Sequence, residues 1–248
     1  MTWLGIALSR PARKVRRLFG ASLRNSDYLI NWSRTHRYIY VEVPKAACST
    51  IKLTLQRIEL NDRDYDPANK HRRATSPLLS PLSAPGDFLE ALASPDYFRF
   101  CFVRDPYSRI LSAYLEKLAG DDFERAMRLR HLGLRDDAVP SLRQFLEVLA
   151  GSDPAGCDIH WARQSDLLTP DRIAYDFVGR FESFREDFEA VLARIGRDAD
   201  WIADARGHGT DAALRLGQWI GPRERALIEA IYAEDFDRFG YSRELGPT

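Results

Sequence analysis

Tyr38-Ile39-Tyr40-Val41-Glu42-Val43-Pro44-Lys45-Ala46-Ala47-Cys48-Ser49-Thr50 decides the fold. The run from Tyr38 to Val43 is aromatic and β-branched, and Pro44 closes it, which predicts a strand. Apolar residues then fall at Ile51, Leu55 and Ile58, spaced by four and three, the stripe of an amphipathic helix. A loop between a strand and a helix N-terminus presents backbone N–H groups and the positive end of the helix dipole, which suits an anion. Lys45 adds a mobile charge, Ser49 and Thr50 add hydroxyl donors in the first turn, and small Ala46 and Ala47 let the backbone approach a ligand. Cys48 reads as a small loop residue. A plain helix cap at Ser49 or Thr50, with Lys45 as a surface charge, is the alternative at this point.

Outward from this stretch the pattern repeats. Phe98 to Val103 is a nearly continuous apolar run, followed by Arg104-Asp105-Pro106 and a helical stripe through Ile110, Leu111, Tyr114 and Leu118. A third unit runs from Tyr175 to Phe181 into a helix carrying Phe184, Phe188, Val191, Leu192 and Ile195. A last helix starts at Pro222, a favoured first-turn residue, and carries Ile228, Ile231, Tyr232 and Phe239. Strands alternating with helices predict an α/β fold with a central, mostly parallel sheet flanked by helices. Ligands in such folds collect at the carboxyl ends of the strands. The stretches 75–86, 136–141, 150–158 and 206–209 read as connecting loops or lids.

The chain has 248 residues, 36 cationic and 36 acidic, with 45% hydrophobic residues. That length and composition predict one soluble domain, residues 36–248, preceded by a basic segment, residues 1–35. The balanced charge disfavours nucleic acid as a partner. Cys48, Cys101 and Cys157 lack metal-site spacing and fit a reducing, cytoplasmic compartment. Trp3 to Leu8 is too short to span a bilayer, whereas Arg10, Arg13, Lys14, Arg16 and Arg17 suit peripheral contact with an anionic inner membrane surface.

At the second junction, Arg104 and Arg109 offer two guanidinium groups for a second phosphate, and Ser112 lies two turns into the following helix. The first loop is not a Walker A sequence, because its lysine comes first and no glycine precedes it. No residue pattern marks a magnesium site, which disfavours a nucleoside-triphosphate enzyme and predicts no metal requirement. Two anion loops on neighbouring strands together imply a ligand with two separated phosphates.

With Phe102-Val103-Arg104-Asp105-Pro106-Tyr107-Ser108-Arg109 and Leu111-Ser112-Ala113-Tyr114 beside Val43 to Lys52, the chain resembles the carbohydrate sulfotransferases. Tyr175 to Glu182, Tyr232 to Phe236 and Phe239-Gly240-Tyr241 extend the resemblance over residues 36–241. It implies a P-loop-like three-layer fold and 3′-phosphoadenosine 5′-phosphosulfate (PAPS) as donor, with PAP as product. Lys45 and the loop Ala46, Ala47, Cys48, Ser49 and Thr50 would hold the 5′-phosphosulfate, and Arg104 and Ser112 the 3′-phosphate. A hydroxyl of a carbohydrate or glycolipid would be the acceptor. Golgi members differ in carrying a membrane anchor and disulfide cysteines that have no counterpart here.

Such a transfer needs charge stabilisation on the departing phosphate, a task for Lys45, and a base for the hydroxyl. Among His36, His71, His131, His160 and His208, His71 occupies the place in chain order that the resemblance gives to a catalytic histidine. Its neighbours Lys70, Arg72 and Arg73 would favour the neutral ring, or attract an anionic acceptor. His160, in His160-Trp161, is the second candidate, and Glu182 is a further one. Glu42 and Asp105 would repel phosphate unless paired, so both are expected in structural pairs. A nucleotide-dependent kinase with an atypical loop and a non-catalytic nucleotide- or sulfoglycan-binding protein are the competing readings.

Overall fold

The computed structural model describes residues 5–6, 9–20, 22–120, 124–135, 139–153, 156–204 and 210–245. In chain order the elements are α1 (Arg10–Phe19), α2 (Leu23–Leu29), β1 (Ile30–Ser33), β2 (Tyr38–Val41), α3 (Cys48–Leu60), α4 (Pro85–Ala93) and β3 (Phe98–Val103). They continue with α5 (Pro106–Tyr114), α6 (Arg125–His131), α7 (Leu142–Ala150), α8 (Gln164–Leu168), β4 (Phe177–Arg180), α9 (Phe184–Arg194), α10 (Leu216–Trp219), α11 (Pro222–Ile231) and α12 (Ala233–Phe239). The chain packs as two compact units, residues 1–103 with 166–207 and residues 104–165 with 208–248.

The first unit holds the sheet, in the order β1-β2-β3-β4. β2, β3 and β4 run parallel, as the alternating pattern predicts, and β1 joins β2 antiparallel. β1 lies upstream of residue 36. Its sequence Ile-Asn-Trp-Ser has all four residues buried, two of them polar, so hydropathy alone hides it. The outer side of β1 is covered at one point, where Trp32 and Leu79 exchange both backbone hydrogen bonds at 3.0 and 3.1 Å.

Aromatic rings hold the strands together. Tyr40 stacks on Phe100 across the β2–β3 pair, and Phe102 meets Phe184 and Phe188 edge-on from α9. Each such ring, fully buried, contributes about 1.5–3 kcal/mol from area alone. Gly179 in β4 lies against the ring of Phe102: a Cβ there would stand 2.4 Å from a ring carbon, so a larger residue forces the ring or the strand to shift. α3 buries Ile51, Leu55 and Ile58, the stripe its spacing predicts.

The second unit is helical. α5 is buried along its whole length, and its core joins Tyr107 to Phe236 and Phe145 to Trp161. Sequence spacing runs the α5 helix on to Leu118; the backbone instead widens into a π turn over Leu115–Ala119, which still buries Leu118. The final helix is likewise divided at Tyr232, whose hydroxyl donates to the Trp161 carbonyl at 2.6 Å. Among the described residues no helix is long and apolar enough to cross a membrane.

Candidate functional site

The loop from Val43 to Ala47 leaves the carboxyl end of β2 and enters α3. Lys45 and Ala47 both take left-handed backbone conformations, with φ of 73° and 60°. These are the conformations glycine would adopt at least cost, and a non-glycine residue there stores roughly 1–3 kcal/mol. No side chain caps α3, which answers the alternative of a plain cap at Ser49 or Thr50. The first turn of α3 therefore has no side-chain cap, so its backbone N–H groups suit an anion, and Lys45 just before it is half-buried.

Behind the loop lies a buried polar cluster. Glu42, just past β2, takes the Lys52 ammonium at 2.7 Å on one carboxylate oxygen and faces His71 Nδ1 at 3.5 Å with the other. His71 Nε2 is 3.0 Å from Ser49 Oγ, and its ring stacks on Tyr28, whose face also receives Lys52. Burial pushes the Glu42 carboxyl up, but Lys52 and His71 outweigh it and hold the group down at about 2. Burial and the nearby Glu42 carboxylate push the Cys48 thiol up to about 12, so it stays protonated. Glu42 is thus in the structural pair expected of it, and Ser49 and His71 meet beside it.

The charged neighbours of His71 differ from those read along the chain. Arg73 turns away, donating to the carbonyls of Tyr28, Ile30 and Leu78 and to Asn31 Oδ1, so it serves the loop and β1 rather than an acceptor. The Lys70 carbonyl is held by Gln56 Nε2 at 2.8 Å, which fixes the loop that carries His71.

In the second unit, Arg104, Ser108 and Ser112 are four residues apart and line one side of the start of α5. Arg104 and Ser112 are both buried, Arg104 Nε donates to Ser108 Oγ at 3.0 Å, and Thr210 Oγ1 donates to Ser112 Oγ at 3.0 Å. Asp105 caps α5 by accepting from Ser108 N–H at 2.8 Å, the structural pairing expected of it. Arg109 does not offer a second phosphate fork: its guanidinium donates to the carbonyls of Ala162 and Ile159 and fastens that loop. His160, also in this unit, holds Asp158 at 2.7 Å through Nδ1, and Asp158 lies 3.9 Å from Arg128. Burial alone would raise Asp158, but His160 and Arg128 lower it.

Lys52, Gln164, Thr210 and Asp235 are the partners that sequence reasoning missed. Lys52 and Asp235 had a local signal, lying inside the Val43–Lys52 and Tyr232–Phe236 stretches. Glu182 is exposed at the surface after β4, and His208 lies outside the described residues. Glu42, Cys48 and His71 bring one donor atom each within 4.8 Å of one another. A protonated thiol and a lysine ammonium already on the carboxylate make that set a poor metal site.

The sequence matches the model of the sulfotransferase family over residues 29–242. Human carbohydrate sulfotransferase 8 is 31% identical over 84% of this chain and 54% of its own length. Mouse carbohydrate sulfotransferase 14 is 34% identical over 84% of this chain and 59% of its own length. Carbohydrate sulfotransferase 12 of Xenopus laevis is 24% identical over 89% of this chain. The chain thus spans about half the length of the curated relatives it matches. No solved structure matches it.

Proposed function

Because this chain belongs to the sulfotransferase family, we propose that it transfers a sulfuryl group from PAPS to a hydroxyl of a carbohydrate or glycolipid. Its relatives are named as carbohydrate sulfotransferases, and that supports the acceptor class. The observation that carries the reading is the uncapped start of α3, preceded by the left-handed Lys45 and Ala47, which suits an anion at the first-turn N–H groups.

Lys45 and residues 46–50 are assigned the 5′-phosphosulfate, and Arg104 with Ser112 the 3′-phosphate. The acceptor oxygen forms a bond to sulfur as the bond from sulfur to the bridging phosphate oxygen breaks, and PAP leaves with that electron pair. Charge gathers on the bridging oxygen, where the Lys45 ammonium and the α3 N-terminus stabilise it. The acceptor hydroxyl gives its proton to His71, whose Nε2 is at hydrogen-bond distance from Ser49. His160 is the second candidate for this step. No metal takes part.

The test is to offer sulfur-labelled PAPS, with chelator present, to polysaccharides, glycolipids and small metabolites. A labelled product with PAP released in equal amount is expected. Label that stays on the donor, or preference for Mg-ATP over PAP in titration, overturns the reading in favour of a binding protein or a kinase.

The basic N-terminal segment adds a place of work. α1 buries Ala12, Val15 and Phe19 and turns Arg10, Arg13, Lys14, Arg16 and Arg17 to solvent. An enzyme in the cytoplasm would rest this face on an anionic membrane. Co-sedimentation with phosphatidylserine vesicles, lost in high salt, is expected; equal binding to neutral vesicles would sink the idea.

A further inference from the structure

Glu42, Lys52 and His71 come from three separate segments and meet in the interior behind the α3 loop. Glu42 and Lys52 are 1% and 2% exposed, so neither charge is there for solubility. Burying such a pair contributes little to stability by itself, because desolvation cancels most of the attraction. The arrangement does constrain the ring beside it. His71 Nδ1 is buried with no hydrogen bond of ordinary length, and the group it faces is Glu42 Oε1 at 3.5 Å. An ionised carboxylate can only accept, so the nitrogen facing it is the one that carries hydrogen. The other nitrogen, Nε2, then holds the lone pair, and it lies on the Ser49 side at 3.0 Å. Lys52, on the second oxygen of Glu42, keeps the carboxylate charged and in place. The Tyr28 ring lies nearly parallel to the His71 ring, with an interplanar angle of 18° and centroids 6.2 Å apart. Among the described residues, the guanidinium of Arg73 also acts on Glu42 through its charge, Lys70 and Arg72 flank His71 in the chain, and Cys48 brings its Sγ within 4.8 Å of the Glu42 and His71 donors.

We propose that Glu42 is a positioning residue that fixes His71 as the Nδ1–H tautomer, making Nε2 the atom that receives the proton of the acceptor hydroxyl. The catalytic part rests on the sulfuryl transfer proposed above; the tautomer does not. In the step itself the proton moves from the acceptor oxygen to Nε2, the acceptor oxygen bonds to sulfur, and PAP departs. The imidazolium that results is stabilised by the Glu42 carboxylate across Nδ1–H.

The experiment is a two-bond proton–nitrogen NMR correlation on the full chain with labelled histidine, at a pH where the ring is neutral, with His71 assigned by loss of its signals in His71→Gln. The wild type is expected to show a protonated Nδ1 and a lone-pair Nε2. Glu42→Gln, which can donate as well as accept, should mix or reverse the tautomers. It should lower kcat by roughly 10–100-fold, as outer partners of functional histidines do, with KM for PAPS changed less than about threefold. A wild-type ring protonated at Nε2 overturns the proposal, and that spectrum decides it even where Glu42→Gln does not fold. So does a folded Glu42→Gln that keeps both tautomer and kcat. A wild type with the expected tautomer that transfers no sulfuryl group overturns the function proposed above and leaves the Glu42–His71 pairing standing.

Discussion

Gln164 treats Arg104 as a neighbouring strand would: its side-chain oxygen accepts from Arg104 N–H at 2.9 Å, and its side-chain nitrogen donates to the Arg104 carbonyl at 2.8 Å. Gln164 is itself held, since Asp235 accepts the backbone N–H groups of Gln164 and Ser165 at 2.7 and 2.8 Å. The backbone that carries the Arg104 guanidinium is thereby fixed by α8 and α12. Gln164→Leu leaves two buried backbone groups unpaired, at about 1–3 kcal/mol each when no water replaces the partner. A loss of roughly 2–4 kcal/mol in urea unfolding is expected, with weaker PAP binding. A loss under about 0.5 kcal/mol would show that the bracket does not hold Arg104.

Lys45 and Arg104 should separate kinetically. Lys45→Ala is expected to depress turnover more than PAP affinity, because its charge matters most as the bridging oxygen becomes anionic. Arg104→Ala removes a charge-assisted contact of about 1.5–3 kcal/mol and should weaken PAP binding by roughly 10–100-fold. Calorimetric titration with PAP and steady-state turnover decide the matter. Unchanged PAP affinity in Arg104→Ala would remove the 3′-phosphate assignment.

Gly179→Ala drives a methyl to within 2.4 Å of the Phe102 ring, in a strand paired to β3. Phe102 is fully buried and cannot move freely, so overpacking of about 1–3 kcal/mol is expected. Denaturant unfolding of Gly179→Ala, and of the same variant with Phe102→Leu, checks the cause. The second change should recover part of the loss; if it adds its own full cost instead, the clash with Phe102 is not the reason.

Acid should weaken the fold through Glu42. Its carboxyl is lowered from an ordinary 4.5 to about 2, so the stabilisation it gives is complete above 4.5 and lost as pH falls from there to 2. A shift of that size corresponds to something on the order of 3 kcal/mol. The stability difference between wild type and Glu42→Gln, followed by urea unfolding across that window, should shrink as pH falls. A difference that stays constant across the window would mean that the fold does not hold the Glu42 carboxyl below its ordinary range.

The sequence by itself determined the elements on which the proposed site is built. Tyr38 to Ile58 announces strand, loop and helix because branching, proline and apolar spacing act within a few residues, and Phe98 to Tyr114 repeats the statement with an arginine at the junction. Parallel pairing of β2, β3 and β4 follows from the same alternation. Only the tertiary structure decided where the other charges find their partners. Arg109 and Arg73 read along the chain as cations for a ligand, yet each is consumed by backbone carbonyls some 43–53 residues away. Glu42 meets His71 across 29 residues of sequence, and Gln164 meets Arg104 across 60, where no local pattern can indicate the partner. The reason is physical: backbone preference is set by neighbours in the chain, whereas the fate of a buried polar group is set by whatever the fold packs against it, since burial demands a partner wherever one can be found.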